Sequence, residues 1–110
     1  MKNVDIKIAP SILSADFANM ASEIISLENS GADIIHCDVM DGVFVPNITF
    51  GIKMISDIRK VTSLPLDCHL MIVEPEKYVE AFAKAGADFI TVHYEACKDV
   101  RATLQAIKDA

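Results

Sequence analysis

No stretch of this sequence is apolar over the ~18 residues that a membrane-spanning helix requires, which argues against a helical membrane protein. Basic residues are also scarce: 10 Lys and Arg stand against 16 Asp and Glu, giving a formal charge of −6. This deficit argues against nucleic acid or an anionic membrane as the main partner, because both bind Lys and Arg. The 3 cysteines, Cys37, Cys68 and Cys97, are far apart and form no Cys-x-x-Cys pair, which favours reduced thiols over a disulfide framework.

The N-terminus has no apolar segment of the kind that signal peptides carry, so we expect a cytoplasmic protein. At 110 residues and 52% hydrophobic composition, the chain can form one compact core but is too short for two ordinary domains.

Apolar patterning predicts four strand–helix units. Strands are predicted over residues 5–13, 33–40, 65–72 and 88–95. Helices are predicted over about 17–29 and 51–60, from about 75, and from about 99 to the C-terminus. The segments "NSGADIIHCD" and "KAGADFITVH" resemble each other, and in both the glycine (Gly31, Gly86) is placed to end a helix before a strand.

Strands separated by helices of this length must run parallel, in an α/β fold. Four units in this chain average about 27 residues each, whereas a (β/α)8 TIM barrel uses eight units in roughly 250 residues. We therefore predict the first four βα units of a TIM barrel, with residues 1–110 as the N-terminal half of a single domain. The rival, an open doubly wound sheet, usually has a glycine-rich turn after its first strand, where this chain reads "SILSADFANM".

A half barrel would expose the edges of its outer strands and the side chains of its inner face. The chain is then expected either to be part of something longer or to close around a second copy, and a homo-oligomer is expected.

Polar side chains lie toward the carboxyl ends of two predicted strands, where barrel enzymes place their chemistry. Residues two apart on a strand share a face, so His36 lies with Asp38, and Asp67 lies with His69. If both faces point inward, His36, Asp38 and His69 converge. Two imidazoles and a carboxylate suit one divalent cation such as Zn²⁺, Fe²⁺, Mn²⁺ or Co²⁺.

Each of these residues also has a simpler interpretation. A lone histidine is commonly a hydrogen-bonded residue of the core or the rim, and His93 and Glu95 could be either rim polarity or partners of a ligand. Met40 and Met71 could fill the core or cover a substrate. Ser11 could bind a substrate oxygen or merely belong to a turn. Asp41 is expected to fix the following loop, and Cys37 and Cys68 to face the helices.

Three motifs carry a specific resemblance. "APSILSAD" (9–16), "HCDVMDGVFVPNITFG" (36–51) and "DCHLMI" (67–72) are similar to motifs of the ribulose-phosphate 3-epimerase family, in that family's order and spacing. The resemblance covers the whole chain and corresponds to the N-terminal half of a (β/α)8 enzyme. Cys37 stands where the family more often has a bulkier apolar residue.

The resemblance implies an isomerase of carbohydrate metabolism and the pentose phosphate pathway. It would interconvert D-ribulose 5-phosphate and D-xylulose 5-phosphate through an enediolate, with one divalent metal and two aspartate acid/bases. By motif, His36, Asp38 and His69 match metal ligands, and Asp38 also matches one acid/base. Ser11, His69, Met40 and Met71 match substrate contacts.

The family's second aspartate and its phosphate site match no position in this chain, so the 110-residue chain alone is expected to be inactive. Two alternatives stay open. One is an allulose-6-phosphate 3-epimerase, which would use the same chemistry on a ketohexose phosphate. The other is a non-catalytic half-barrel module that dimerises through its open edges.

Overall fold

A computed structural model of the chain describes residues 5–110. Within that range the structure forms one parallel sheet in the order β1-β2-β3, made of β1 (Ile35–Met40), β2 (Leu66–Met71) and β3 (Phe89–Val92). The α-helices are α1 (Met20–Asn29), α2 (Ile52–Val61), α3 (Val79–Ala85) and α4 (Val100–Asp109). Short 3-10 helices span Ile12–Ser14, Phe17–Asn19, Pro75–Lys77 and Tyr94–Ala96. No helix of these residues is long and apolar enough to cross a membrane.

The last three predicted strands are confirmed, each somewhat shorter than expected, but the predicted first strand over 5–13 is wrong. The carbonyls of Ile8 and Pro10 accept hydrogen bonds from the chain entering β1, so the segment does lie beside that strand. The segment cannot form a continuous ladder of backbone hydrogen bonds with β1, because the Ile8 N–H donates to the Asp33 side chain and Pro10 has no N–H. A single parallel bridge between Ser11 and His36 remains.

The core lies between the helices and one face of the sheet. Along β1 the buried residues alternate with partly exposed ones, as expected for a strand with one covered face. The covered face and the helices together form one cluster of buried side chains, which includes Ile24, Ile35, Cys37, Ile55, Ile58, Leu66, Cys68, Leu70 and Phe82. The prediction that Cys37 and Cys68 face the helices is therefore confirmed. A hydrogen bond with Cys68, together with burial, raises the pKa of the Cys37 thiol and keeps it protonated.

Arg59, in the last turn of α2, ties this helix to the segments that precede β2 and β3. Its guanidinium donates to the carbonyls of Thr62, Leu64 and Gly86 at 2.8, 2.6 and 3.1 Å, and to the Asp88 carboxylate at 2.9 Å. Gly86 has a φ of +129°, a conformation that favours glycine, and a Cβ there would lie 2.5 Å from the Arg59 side chain. Glycine therefore meets both the conformational and the steric requirement of this position.

Replacing Arg59 by lysine should lower the free energy of unfolding by about 2–4 kcal/mol, since an ammonium has only three N–H donors and lacks the planar fork that serves four acceptors here. Urea unfolding followed by circular dichroism measures the difference. Arg101→Lys, at an exposed position of α4, is the matched control and should leave the unfolding free energy unchanged. Equal losses in the two variants would contradict this account of Arg59.

Candidate metal centre

The register of the sheet places four polar residues side by side on the face opposite the helices. In the pairing of β1 with β2, His36 lies opposite Asp67 and Asp38 lies opposite His69. The Ser11–His36 bridge brings Ser11 to the same group. The predicted convergence of His36, Asp38 and His69 is therefore present in the structure.

Asp38 is the centre of this group. Its Oδ1 lies 3.1 Å from His36 Nε2 and 2.9 Å from His69 Nδ1, while the Ser11 hydroxyl donates to Oδ2. Only 13% of the Asp38 side chain is exposed, which would be costly for a carboxylate without these partners.

These partners keep Asp38 ionised. Burial raises the pKa of the Asp38 carboxyl, but hydrogen bonds from Ser11 and His69 and the electrostatic interaction with the two histidines outweigh burial and hold the pKa below its ordinary value. A carboxylate in this state can accept a proton or bind a cation.

Each histidine also contacts a group on its outer side. His36 Nδ1 lies 2.9 Å from Asp67 Oδ2, and His69 Nε2 lies 2.7 Å from His93 Nε2. The His93 ring in turn packs against Phe44, with 5.1 Å between ring centroids. His93, which the sequence left between rim polarity and a supporting role, is therefore in direct contact with a candidate ligand.

The group fits a divalent cation. One ligand atom from each of His36, Asp38 and His69 can be chosen so that all three lie within 4.8 Å of one another. Two imidazole nitrogens directed at the same carboxylate oxygen form a donor set typical of Zn²⁺, Fe²⁺, Mn²⁺ and Co²⁺ sites.

Met40 and Met71 lie opposite each other at the ends of β1 and β2, one step beyond Asp38 and His69 on the same face. Met71 is buried and Met40 is partly exposed. Met40 also borders a cavity of about 230 Å³ that Phe50, Ile72 and Phe82 line with other residues. Both interpretations of the methionines, filling the core and covering a substrate, agree with this placement.

The loop after β1 is fixed by its own polar side chains. Asp41 Oδ1 accepts from the N–H groups of Val43 and Phe44, each at 2.9 Å, and Oδ2 accepts from Val73 N–H at 2.8 Å. Asp41 therefore fixes the loop, as expected from the sequence. Thr49 closes the loop, because its hydroxyl donates to the Asp38 carbonyl at 2.7 Å and accepts from Met40 N–H at 3.0 Å.

Sequence reasoning missed two members of this site. The strand pattern predicts the correct face for Asp67 but no role, and it gives no indication of Phe44. The Asp-x-His spacing of Asp67 and His69 was a usable signal for the first. No local pattern indicates that the loop brings Phe44 against His93, the residue that follows β3.

Comparison with known proteins identifies relatives over nearly the whole chain. The Ribulose-phosphate 3 epimerase family matches residues 7–110, which confirms the resemblance of the three motifs. A ribulose-phosphate 3-epimerase of Bacillus subtilis (strain 168) is 61% identical over 104 residues, covering 94% of this chain and 48% of that protein. One of Synechocystis is 63% identical over 91 residues, covering 83% of this chain and 40% of that protein. The chain thus spans about half the length of the curated relatives it matches.

A solved structure with a similar fold is the carboxyl transferase domain from Rhizobium etli pyruvate carboxylase with pyruvate. It has a TM-score of 0.56 and 18% identity, and the match covers 96% of this chain and 20% of that one. At this identity the likeness concerns the fold alone.

The Asp41 carboxylate should make stability depend on pH. Burial raises the pKa of Asp41, but the N–H donors of Val73, Val43 and Phe44 outweigh it and lower the pKa. A folded-state pKa below the unfolded value of about 3.9 stabilises the fold above that pH, and the contribution is lost as pH falls through the folded-state pKa. Asp41→Asn should therefore cost about 1 kcal/mol at pH 7 and progressively less on acidification below about pH 4.

Urea unfolding of both proteins at several pH values measures this difference. Asp5→Asn, at an exposed carboxylate, is the control for the change in net charge. A cost of Asp41→Asn that stays constant down to pH 2 would contradict the role of its ionised form.

Zn²⁺ should bind the chain at His36, Asp38 and His69. His36→Gln or Asp38→Asn should each weaken binding by at least about tenfold, because each removes a donor of a three-residue set. Calorimetric titration of Zn²⁺ measures the dissociation constant. Asp57→Asn, whose half-exposed carboxylate pairs with Lys53 and Lys60, should bind like the wild type. Identical isotherms for the wild type and both site variants would rule out this location.

Proposed function

We propose that this chain, which belongs to the ribulose-phosphate 3-epimerase family, provides half of the active site of a metal-dependent ketose-phosphate 3-epimerase. The substrate pair is D-ribulose 5-phosphate and D-xylulose 5-phosphate. The observation that carries the proposal is the convergence of His36, His69 and Ser11 on the Asp38 carboxylate.

The fold that we propose for the whole protein is a (β/α)8 barrel, of which this chain is the N-terminal half. Three observations support it: the parallel β1-β2-β3 order, helices packed on one face of the sheet, and a polar group on the opposite face, which would be the inner face of a barrel. The chain also spans about half the length of its relatives. A sugar phosphate is the partner that the proposal requires, and self-association of the chain stays a prediction.

Asp38 is proposed to act as one of two acid/bases. Inversion at C3 requires removal of a proton next to the C2 carbonyl and return of a proton from the opposite face. A carboxylate with a lowered pKa, held by Ser11 and two imidazoles, is ionised and oriented for the first step on its own face. The family resemblance assigns the second acid/base to a part of the protein outside this chain.

His36, Asp38 and His69 would together hold the divalent cation, and Ser11 and His69 would contact substrate oxygens. When bound, the cation supplies Lewis-acid stabilisation of the negative charge that develops on the substrate. Met40 and Met71, at the ends of β1 and β2, would exclude water from the reacting carbons.

Asp38→Asn in the full-length protein should reduce epimerisation of D-ribulose 5-phosphate by about 10²–10⁴-fold, the usual contribution of a general acid/base. The assay follows formation of D-xylulose 5-phosphate, with Asp57→Asn as the control. Wild-type turnover of D-allulose 6-phosphate, but not of the pentose phosphate, would reassign the substrate.

The isolated 110-residue chain belongs in the same assay as a second arm. With one of the two acid/bases, it should turn over at least about 100-fold more slowly than the Bacillus subtilis relative. A rate within tenfold of that enzyme would refute the two-base proposal for this chain.

A further inference from the structure

We propose that Asp67 is a positioning residue that fixes the tautomer of His36, so that in the metal-bound site Nε2 is the nitrogen left unprotonated for the cation. This inference rests on the proposed metal site, and it assigns the residue that prepares one of its ligands.

The contact between the two side chains determines where the proton is. His36 Nδ1 lies 2.9 Å from Asp67 Oδ2, across the pair that the register of β1 and β2 sets directly opposite. An ionised carboxylate only accepts hydrogen bonds, so this bond requires a proton on Nδ1. Nε2 is the nitrogen on the Asp38 side of the ring, 3.1 Å from Oδ1. A neutral imidazole with its proton on Nδ1 would therefore offer the lone pair of Nε2 to a cation held together with Asp38.

The surroundings strengthen the constraint. The side chains of His36 and Asp67 are only 24% and 23% exposed, so water competes weakly for their hydrogen bond. Within residues 5–110, His36 is the hydrogen-bond partner that the structure gives the Asp67 carboxylate. A carboxylate that is three-quarters buried and directed at the outer nitrogen of a metal-facing histidine is the arrangement that orients such ligands in metalloproteins.

His69 provides an internal comparison, because its outer partner imposes no tautomer. Its Nε2 lies 2.7 Å from His93 Nε2, and a histidine nitrogen can either donate or accept. The ring can therefore carry its proton on either nitrogen and keep this contact. The outer contacts thus fix the position of the proton on His36 but not on His69.

The test replaces Asp67 by asparagine, which keeps the shape but can both donate and accept, so that either tautomer of His36 is satisfied. Titration calorimetry with Zn²⁺ alone should show the dissociation constant of Asp67→Asn raised by about 10–100-fold. Asp57→Asn makes the same chemical change away from the site and should leave the constant unaltered.

A second measurement reads the tautomer directly and needs no variant. Long-range ¹H–¹⁵N spectra of the Zn²⁺-loaded wild type should show His36 protonated at Nδ1 and bound to metal through Nε2. The opposite assignment would overturn the inference, even if Asp67→Asn failed to fold. Equal Zn²⁺ affinity of Asp67→Asn and wild type would also overturn it.

Failure of the proposed function gives a different result. If His36→Gln and Asp38→Asn left Zn²⁺ binding unchanged, the metal site itself would be misplaced, and the role of Asp67 would fall with it. If those two variants lost binding while Asp67→Asn kept it, only the positioning role would be wrong.

Discussion

The parallel register between β1 and β2 is the constraint on which the site depends. It sets His36 against Asp67 and Asp38 against His69, so that two imidazoles and two carboxylates share one face. A slip of one residue would turn these side chains toward the helices, where a buried charge costs several kcal/mol. Ile35 and Leu66, both fully buried on the helix face, oppose that slip. The hydrophobic core therefore fixes the geometry of the polar group behind it.

Asp38 shows how a charge can occupy a largely buried position in this sheet. Three polar side chains surround its carboxylate, and each comes from a different segment: Ser11 from the N-terminal chain, His36 from β1 and His69 from β2. The Asp38 main chain is also held, because Thr49 donates to its carbonyl. The carboxylate is consequently oriented before any ligand arrives, which lowers the cost of ordering it on binding.

Much of the site could be predicted from the sequence because it depends on local periodicity. The alternation in "HCDVM" and "DCHLM" placed His36, Asp38, Asp67 and His69 on one face, and parallel strands bring equivalent ends together. Contacts that depend on the register between strands, or on where a loop folds back, could not be predicted this way. They join residues that are far apart in sequence, as in the pairs Asp67–His36, His93–His69 and Phe44–His93. The predicted first strand over 5–13 is absent for another reason. Pro10 and the Asp33 carboxylate, which accepts from Ile8 N–H, interrupt the hydrogen-bond ladder that apolar patterning alone favours.

The face that carries the site also has an exposed apolar member on β3. Phe89, the first residue of β3, is 53% exposed on this face and lies opposite Asp67, in the same row as His36. An exposed phenylalanine in a sheet whose other face is closely packed is a surface suited to cover by further apolar side chains. In a barrel, inward-facing side chains of neighbouring strands pack against one another and fill the interior. The apolar part of this face thus supports the barrel proposal independently of the polar part, because a metal site alone would not require Phe89.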